Sequence, residues 1–280
     1  MNLLITGRGT GGSWQCRGAQ LGAAAGALIT KTPTLAECKA ADVIVVVKKV
    51  GEDVLATIRK SGTPWAFDCV DFYPQPGCAD WAASEAIGWV RGNLKRLAPT
   101  AVIWANHRMQ QDCGAGWNGF MLPHHHRPGI HRNPIRERVE VVGYEGAEAY
   151  IAAMRPQIEH ECRRRGWRFV VNPEHLADVD IVIALRSGPW ACYATQHWKS
   201  NVKLANAHGS GTPFVGQREC GYLETASGAE YWTESATGIG VCFDWLMSQT
   251  AREQVSDRFL QGAYPVERAA ADLLAGLRGL

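Results

Sequence analysis

Two doubly wound α/β domains are the fold that this 280-residue sequence predicts, and three observations point to it. Short apolar runs, mostly β-branched, alternate with helix-like stretches in both halves of the chain. The runs are apolar throughout, as strands covered by helices on both faces must be. Between the halves, residues 123–137 carry three prolines and a glycine, which disfavour any regular element. Domains of residues 1–126 and 127–280 follow, each long enough for its own core.

In the first half the strand-like runs are 3–6, 27–30, 42–47, 65–70 and 101–105. The Ala-rich stretch 13–26, then 52–61 and 79–97, read as the helices between them, which makes the sheet mostly parallel. In the second half, strands at 139–142, 168–171, 181–185 and 213–215 alternate with helices at 147–165, 200–210 and 243–260. A last helix, 265–277, begins with proline, which a first helical turn tolerates.

Composition narrows the class. The chain is 46% hydrophobic and 20% charged with a net charge of +2, which excludes disorder and coiled coil. No stretch approaches the ~18 uninterrupted apolar residues of a membrane helix. The first seven residues lack the basic start and cleavage site of a signal peptide, so a cytoplasmic protein is expected, in the host cytoplasm if viral. Nine cysteines include no C-x-x-C, and reduced buried thiols fit better than a disulfide scaffold or a zinc site. Residues 1–135 hold 14 Lys+Arg against 9 Asp+Glu; residues 136–280 hold 15 against 18. The stretch 91–138 alone has eight basic and two acidic residues. Either an anionic ligand binds there or the face is simply solvated.

Several positions carry chemistry. Residues 7–12, Gly-Arg-Gly-Thr-Gly-Gly, match G-x-G-x-x-G between a strand and a helix, where backbone N–H groups can hold a phosphate. A dinucleotide site would also want an acid after the second strand; Thr30-Lys31-Thr32 stands there, which disfavours NAD and leaves NADP open. In the second half, Gly143-Tyr144-Glu145-Gly146 again joins a strand to a helix start, where Glu145 and Glu148 also suit plain capping. Arg186 ends a buried strand, and Lys203 and Asn206 share a helix face; Arg186 with Lys203 would clamp a diphosphate.

Asp68 and Asp71 close an otherwise apolar strand and point to opposite faces. Asp71, nearer the end, is the better general base, Asp68 the alternative, and His107 next in line. His124, His125 and His126 alternate sides in an extended segment, so a metal site is not expected; phosphate contact or exposed linker fits them better.

Taken together, these residues resemble the two-domain GT-B glycosyltransferases. Lys203-Leu-x-Asn206-Ala-x-x-x-Gly-Thr-Pro-Phe-Val, followed by Glu219-Cys-Gly-Tyr222-Leu-Glu224, looks like that fold's nucleotide-sugar segment. Val142-Gly-Tyr-Glu-Gly146 looks like the opening loop of the donor domain. Gly11-Gly12-Ser13-Trp14 with Arg17-Gly18-x-Gln20-Leu21 resembles the first turn and helix of the acceptor domain. Many members carry two glutamates eight residues apart; Trp198 and Asn206 occupy those places here, which leaves Glu219 or Glu224 for the ribose.

The resemblance implies two Rossmann-like domains facing a cleft. It also implies transfer of a sugar from a nucleotide diphosphate, a UDP-sugar by preference, with no metal and no other cofactor. Gly143, Tyr144, Gly146, Arg186, Lys203, Asn206, Glu219, Tyr222 and Glu224 are then the donor set, and Gly11, Gly12, Ser13 and Arg17 the phosphate or acceptor loop. Domain closure would exclude water. The basic stretch suggests a hydroxymethylated pyrimidine in DNA as acceptor, as in phage base-modifying enzymes, with Trp104 or Trp117 stacking on an extruded base. The alternatives are a glycan or small-molecule acceptor, an NADP-dependent oxidoreductase, and a non-enzymatic nucleic-acid-binding module.

Overall fold

A computed structural model describes residues 1–279. The first sheet has six parallel strands in the order β2-β1-β3-β4-β5-β6, formed by β1 (Leu3–Thr6), β2 (Leu28–Ile29), β3 (Val43–Val47), β4 (Trp65–Asp68), β5 (Ala101–Trp104) and β6 (Gly119–Met121). All but the short edge strands β2 and β6 are buried along their length, as their uniformly apolar sequences require. Residues alternate between the two faces: Leu4, Ile44, Val46 and Phe67 enter one core, Leu3, Ile5, Val43 and Val45 the other.

The connecting helices follow the expected order with some differences. A π-helical stretch, Trp14–Gln20, runs into α1 (Leu21–Ala24). Next comes α2 (Leu35–Ala40), too short to show periodicity but closed by a Thr34–Glu37 capping box. It is followed by α3 (Glu52–Ser61), which Gly62 ends at φ +73°, and by α4 (Ala83–Leu97). Then α5 (His107–Cys113), unanticipated, starts where the Asn106 side chain accepts the Met109 N–H.

The second sheet is also parallel, in the order β11-β10-β9-β7-β8: β7 (Val141–Tyr144), β8 (Arg168–Val171), β9 (Ile181–Ala184), β10 (Phe214–Gly216) and β11 (Tyr231–Trp232). The helix expected over 147–165 is broken: a 3-10 turn covers Glu148–Tyr150, and α6 begins at Arg155 with proline in its first turn (Arg155–Arg163). Further along are α7 (Tyr193–Trp198), α8 (Val202–Ser210) and α9 (Cys220–Leu223). The helix expected over 243–260 is two, α10 (Ala236–Leu246) and α11 (Gln249–Gln261), because Ser248 caps a new start by accepting the Ala251 N–H.

Packing divides the chain differently from the boundary at 126/127. The final helix, α12 (Val266–Leu277), lays Val266, Ala269, Ala270, Leu273 and Leu277 on the first sheet. On the opposite face, Cys192, Ala194 and the fully buried Trp198 of the α7 region enter the other core of the first sheet. Two apolar docks therefore tie the halves together, a constraint on domain closure that periodicity did not reveal.

Candidate active site

In each sheet the chain reverses its direction of growth beside the first strand, and the carboxyl ends there form a crevice. The two crevices meet in one cleft of about 880 Å³. The first domain lines it with the loop after β1, Lys48 after β3 and Asp71 beyond β4; the second contributes Glu145 and Gly146 after β7 and Arg186 after β9.

Two residues on the first wall hold unusual backbone conformations. Lys48 has φ +57° and Val70 has φ +49°, left-handed values that cost a β-branched residue most. They turn the ends of neighbouring strands so that the Lys48 ammonium meets the Asp71 carboxylate at 2.5 Å. Lys199 reaches the other Asp71 oxygen from the second domain, also at 2.5 Å, and Ser13 Oγ lies at 3.5 Å. Burial alone would push the Asp71 carboxyl up, but the charges and hydrogen bonds of Lys199 and Lys48 outweigh it and hold the group below the usual carboxylate range. Asp71 is thus a fixed anion bridging the domains and a weak proton acceptor.

On the second wall, the N-terminus of α8 opens into the cleft through Lys199, Ser200, Val202 and Lys203. Lys203 is 6% exposed, and its Nζ sits 3.9 Å from the centroid of the Tyr144 ring. That ammonium has no hydrogen-bond partner, and no carboxylate lies within 4 Å of it among the described residues. Burial, with the Arg186 charge adding to it, pushes the amine well below its ordinary value. Gly146, at φ +134°, is needed beside it: a Cβ there would stand 3.2 Å from Tyr144 Oη and 3.3 Å from Lys203 Nζ. Arg186 is 4% exposed and donates to Glu219 at 2.6 Å. Asn206 accepts the Arg127 N–H and donates to Glu145, which also pairs with Arg127 at 2.6 Å.

His124 completes the cleft. It is 2% exposed, its backbone N–H donates to Asn201, and its Nδ1 has no partner. Burial and the nearby Arg17 charge keep the ring neutral.

Solved structures share this architecture. HepE from Anabaena, in complex with UDP and glucose, superposes with a TM-score of 0.65 at 12% identity over 100% of both chains. AviGT4, a glycosyltransferase involved in avilamycin A biosynthesis, gives 0.59 at 12% identity over 100% of this chain and 98% of its own. MurG from Acinetobacter baumannii gives 0.56 at 11% identity over 100% and 99%. The chain has the GT-B fold. No protein-family profile matches the sequence, and none of the curated proteins does.

Within the GT-B frame several expected site residues stand elsewhere. Arg17 and Asp68 do not line the cleft; Arg17 Nε lies 3.6 Å from Asp68, its Nη2 donates to the Leu122 carbonyl, and both side chains are buried. Burial pushes the Asp68 carboxyl up against the pull of Arg17. Breaking a buried pair by removing one partner costs about 3–5 kcal/mol. Arg17→Met is accordingly expected to lower stability in urea unfolding by that amount while leaving UDP affinity at the wild-type value. A ligand role for Arg17 predicts the reverse.

Gly143 lies within buried β7, where a Cβ would meet Val179 at 2.8 Å, so it serves packing. Tyr222 packs edge-on against Phe214 and lies outside the cleft lining. Glu224 accepts the backbone N–H groups of His107 and Arg108 at 2.6 and 3.0 Å, capping α5 across the domain boundary. Glu224 is thus spent on a helix cap, and neither it nor the exposed His107 lines the cleft. Trp198 donates its indole N–H to Asp112, so an acid in its place would not face the cleft.

The basic stretch is not one face. Arg96, Arg108, Arg127, Arg132 and Arg136 pair with Glu52, Asp112, Glu145, Asp257 and Asp180, five of its eight cations. Trp104 is 0% exposed and Trp117 packs against the core, so Trp104 has no face for an extruded base. His124 and His125 are buried rather than exposed linker, and both His125 ring nitrogens meet backbone carbonyls. Sequence reasoning missed Lys48, although its place after a five-residue apolar strand is the signal that singled out Arg186. Lys199 and His124 sit in irregular segments, where no periodicity marks what is buried.

Proposed function

We propose that this protein transfers a glycosyl group from a nucleoside diphosphate sugar, a UDP-sugar by preference, to an acceptor hydroxyl in the interdomain cleft. Lys203 carries the reading. A buried ammonium without a partner is costly, and a diphosphate would supply the missing charge. Arg186, its charge already offset by Glu219, and the α8 N-terminus, which no side chain caps, open on the same wall beside Lys203, so N–H donors converge where a departing diphosphate gathers charge. Side chains meet that charge without a metal in this reading. The UDP and glucose bound by HepE support the donor class.

Gly146 gives the donor backbone access beside Lys203, and Asn206 braces that loop through Glu145. Gly11, Gly12 and Ser13 face the donor from the first domain. His124, neutral and with Nδ1 free, takes the acceptor proton, a part that Asp71 fills poorly between two ammonium groups. Asp71 instead holds Lys48 and Lys199 in register across the cleft.

The test is a donor panel of UDP-, dTDP-, GDP- and ADP-sugars, with binding read by calorimetry and turnover by release of free nucleoside diphosphate. UDP-sugars should bind most tightly and release UDP. Failure of every nucleotide sugar to bind would remove the donor site. DNA containing 5-hydroxymethylcytosine belongs among the acceptors; with the basic stretch dispersed into ion pairs, small-molecule and glycan hydroxyls are favoured over it.

A further inference from the structure

The first-domain side of the cleft leads into a second hollow of about 450 Å³, the two meeting at Arg8. Arg8 and Lys31 line the hollow, and Lys48 and Lys49 line the cleft beside it. Lys48 is spent on Asp71. Arg8, Lys31 and Lys49 are exposed, and none has a carboxylate within 4 Å among the described residues. Of the two acids that line the hollow, only Glu52 has a cation partner among the described residues. Glu52 pairs with Arg96 at 2.9 Å, and Asp53 folds back over Gly51, its Oδ1 2.5 Å from where a Cβ would stand. Lys31 is held toward the cleft, its Nζ 5.4 Å from the ring centroid of cleft-lining Trp14.

Arg8 and Lys31 in the hollow and Lys49 in the adjoining cleft outnumber the one unpaired acid there, Asp53, and together attract an anion. Arg8 and Lys49 share the cleft with the donor cations Arg186 and Lys203, but Lys31 lines only the hollow, so a donor diphosphate does not account for all three. We infer that the acceptor carries, besides the hydroxyl that receives the sugar, a phosphate or carboxylate group held by Arg8, Lys31 and Lys49. The inference rests on the glycosyl-transfer reading and names the chemical class of its second substrate. The Arg8 guanidinium can fork onto two oxygens of such a group, while the lysines act as point charges.

Matched neutral and anionic compounds test it: glucose with glucose 6-phosphate, inositol with inositol 1-phosphate, and galactose with galacturonate. Each is titrated calorimetrically into UDP-saturated protein at low ionic strength, so that the diphosphate subsite is filled. At least one anionic member should bind about tenfold more tightly than its neutral partner. The phosphate and carboxylate arms separate the two anion types. In the triple variant Arg8→Ser/Lys31→Ser/Lys49→Ser the preference should shrink to about twofold or less, with UDP affinity and melting temperature unchanged. Equal binding within every pair, no binding by any anionic member, or a preference that survives the triple variant overturns the inference. Failure of the wild type to bind UDP in the first place defeats the donor reading instead, so the two failures are distinguishable.

Discussion

Asp71→Asn should cost the protein both stability and turnover. Asp71 accepts from Lys199 and Lys48 at 2.5 Å each, with side-chain exposures of only 12%, 10% and 23% for the three residues. The amide keeps the shape but leaves two cations facing each other, one of them buried. Removing one partner from such a pair is worth about 3–5 kcal/mol. Urea unfolding should show that loss, and UDP release should fall by about 10²-fold as Lys199 leaves its position. The wild type should show the matching pH dependence. The Asp71 carboxyl is held below its unfolded value, so its contribution is fully present above about pH 4 and is lost as pH falls further toward the folded value. An Asp71→Asn protein as stable as the wild type, with the same acid limb, would show that the bridge carries no folding energy.

Lys203→Met has the opposite signature. Its Nζ is buried and unpartnered, so exchanging it for an apolar chain of similar length should leave stability equal or slightly higher. UDP affinity should nevertheless drop about 30–150-fold, the 2–3 kcal/mol of a lost charge-assisted contact. Proton linkage separates this from a packing effect. Burial holds the amine well below its ordinary value, and a diphosphate alongside raises it again. Where the amine is unprotonated in the free protein, binding should therefore take up a proton, and affinity should weaken as pH rises. Calorimetry in two buffers of different ionisation heat measures that uptake, which the methionine variant should lack. Unchanged UDP affinity in Lys203→Met would leave the diphosphate site without its central residue.

The fold class and nine of the eleven strands are legible in the sequence, all but the short edge strands β6 and β11, for a simple reason. Runs such as Val43–Val47 and Ile181–Ala184 are apolar at every position, and only a strand buried on both faces uses such a run. Strand-end logic was equally productive, because residues just past a buried parallel strand emerge at the crevice: Asp71 and Arg186 were found that way and both line the cleft. Local rules also singled out Lys203 and Gly146, which line the same cleft.

What only the tertiary structure decided is which polar side chains are spent on one another. Arg17, Asp68 and Glu224 have the same local credentials as Lys203, yet the first two neutralise each other in the interior and the third caps a helix of the opposite domain. Lys199 finds Asp71 across 128 residues of chain, and the Trp198 indole enters the core of the other half. Side-chain charge and strand burial are written locally, residue by residue. Whether a charge is free to meet a ligand depends on long-range neighbours that no spacing encodes, and pairing of buried charges is enforced by the cost of leaving them alone.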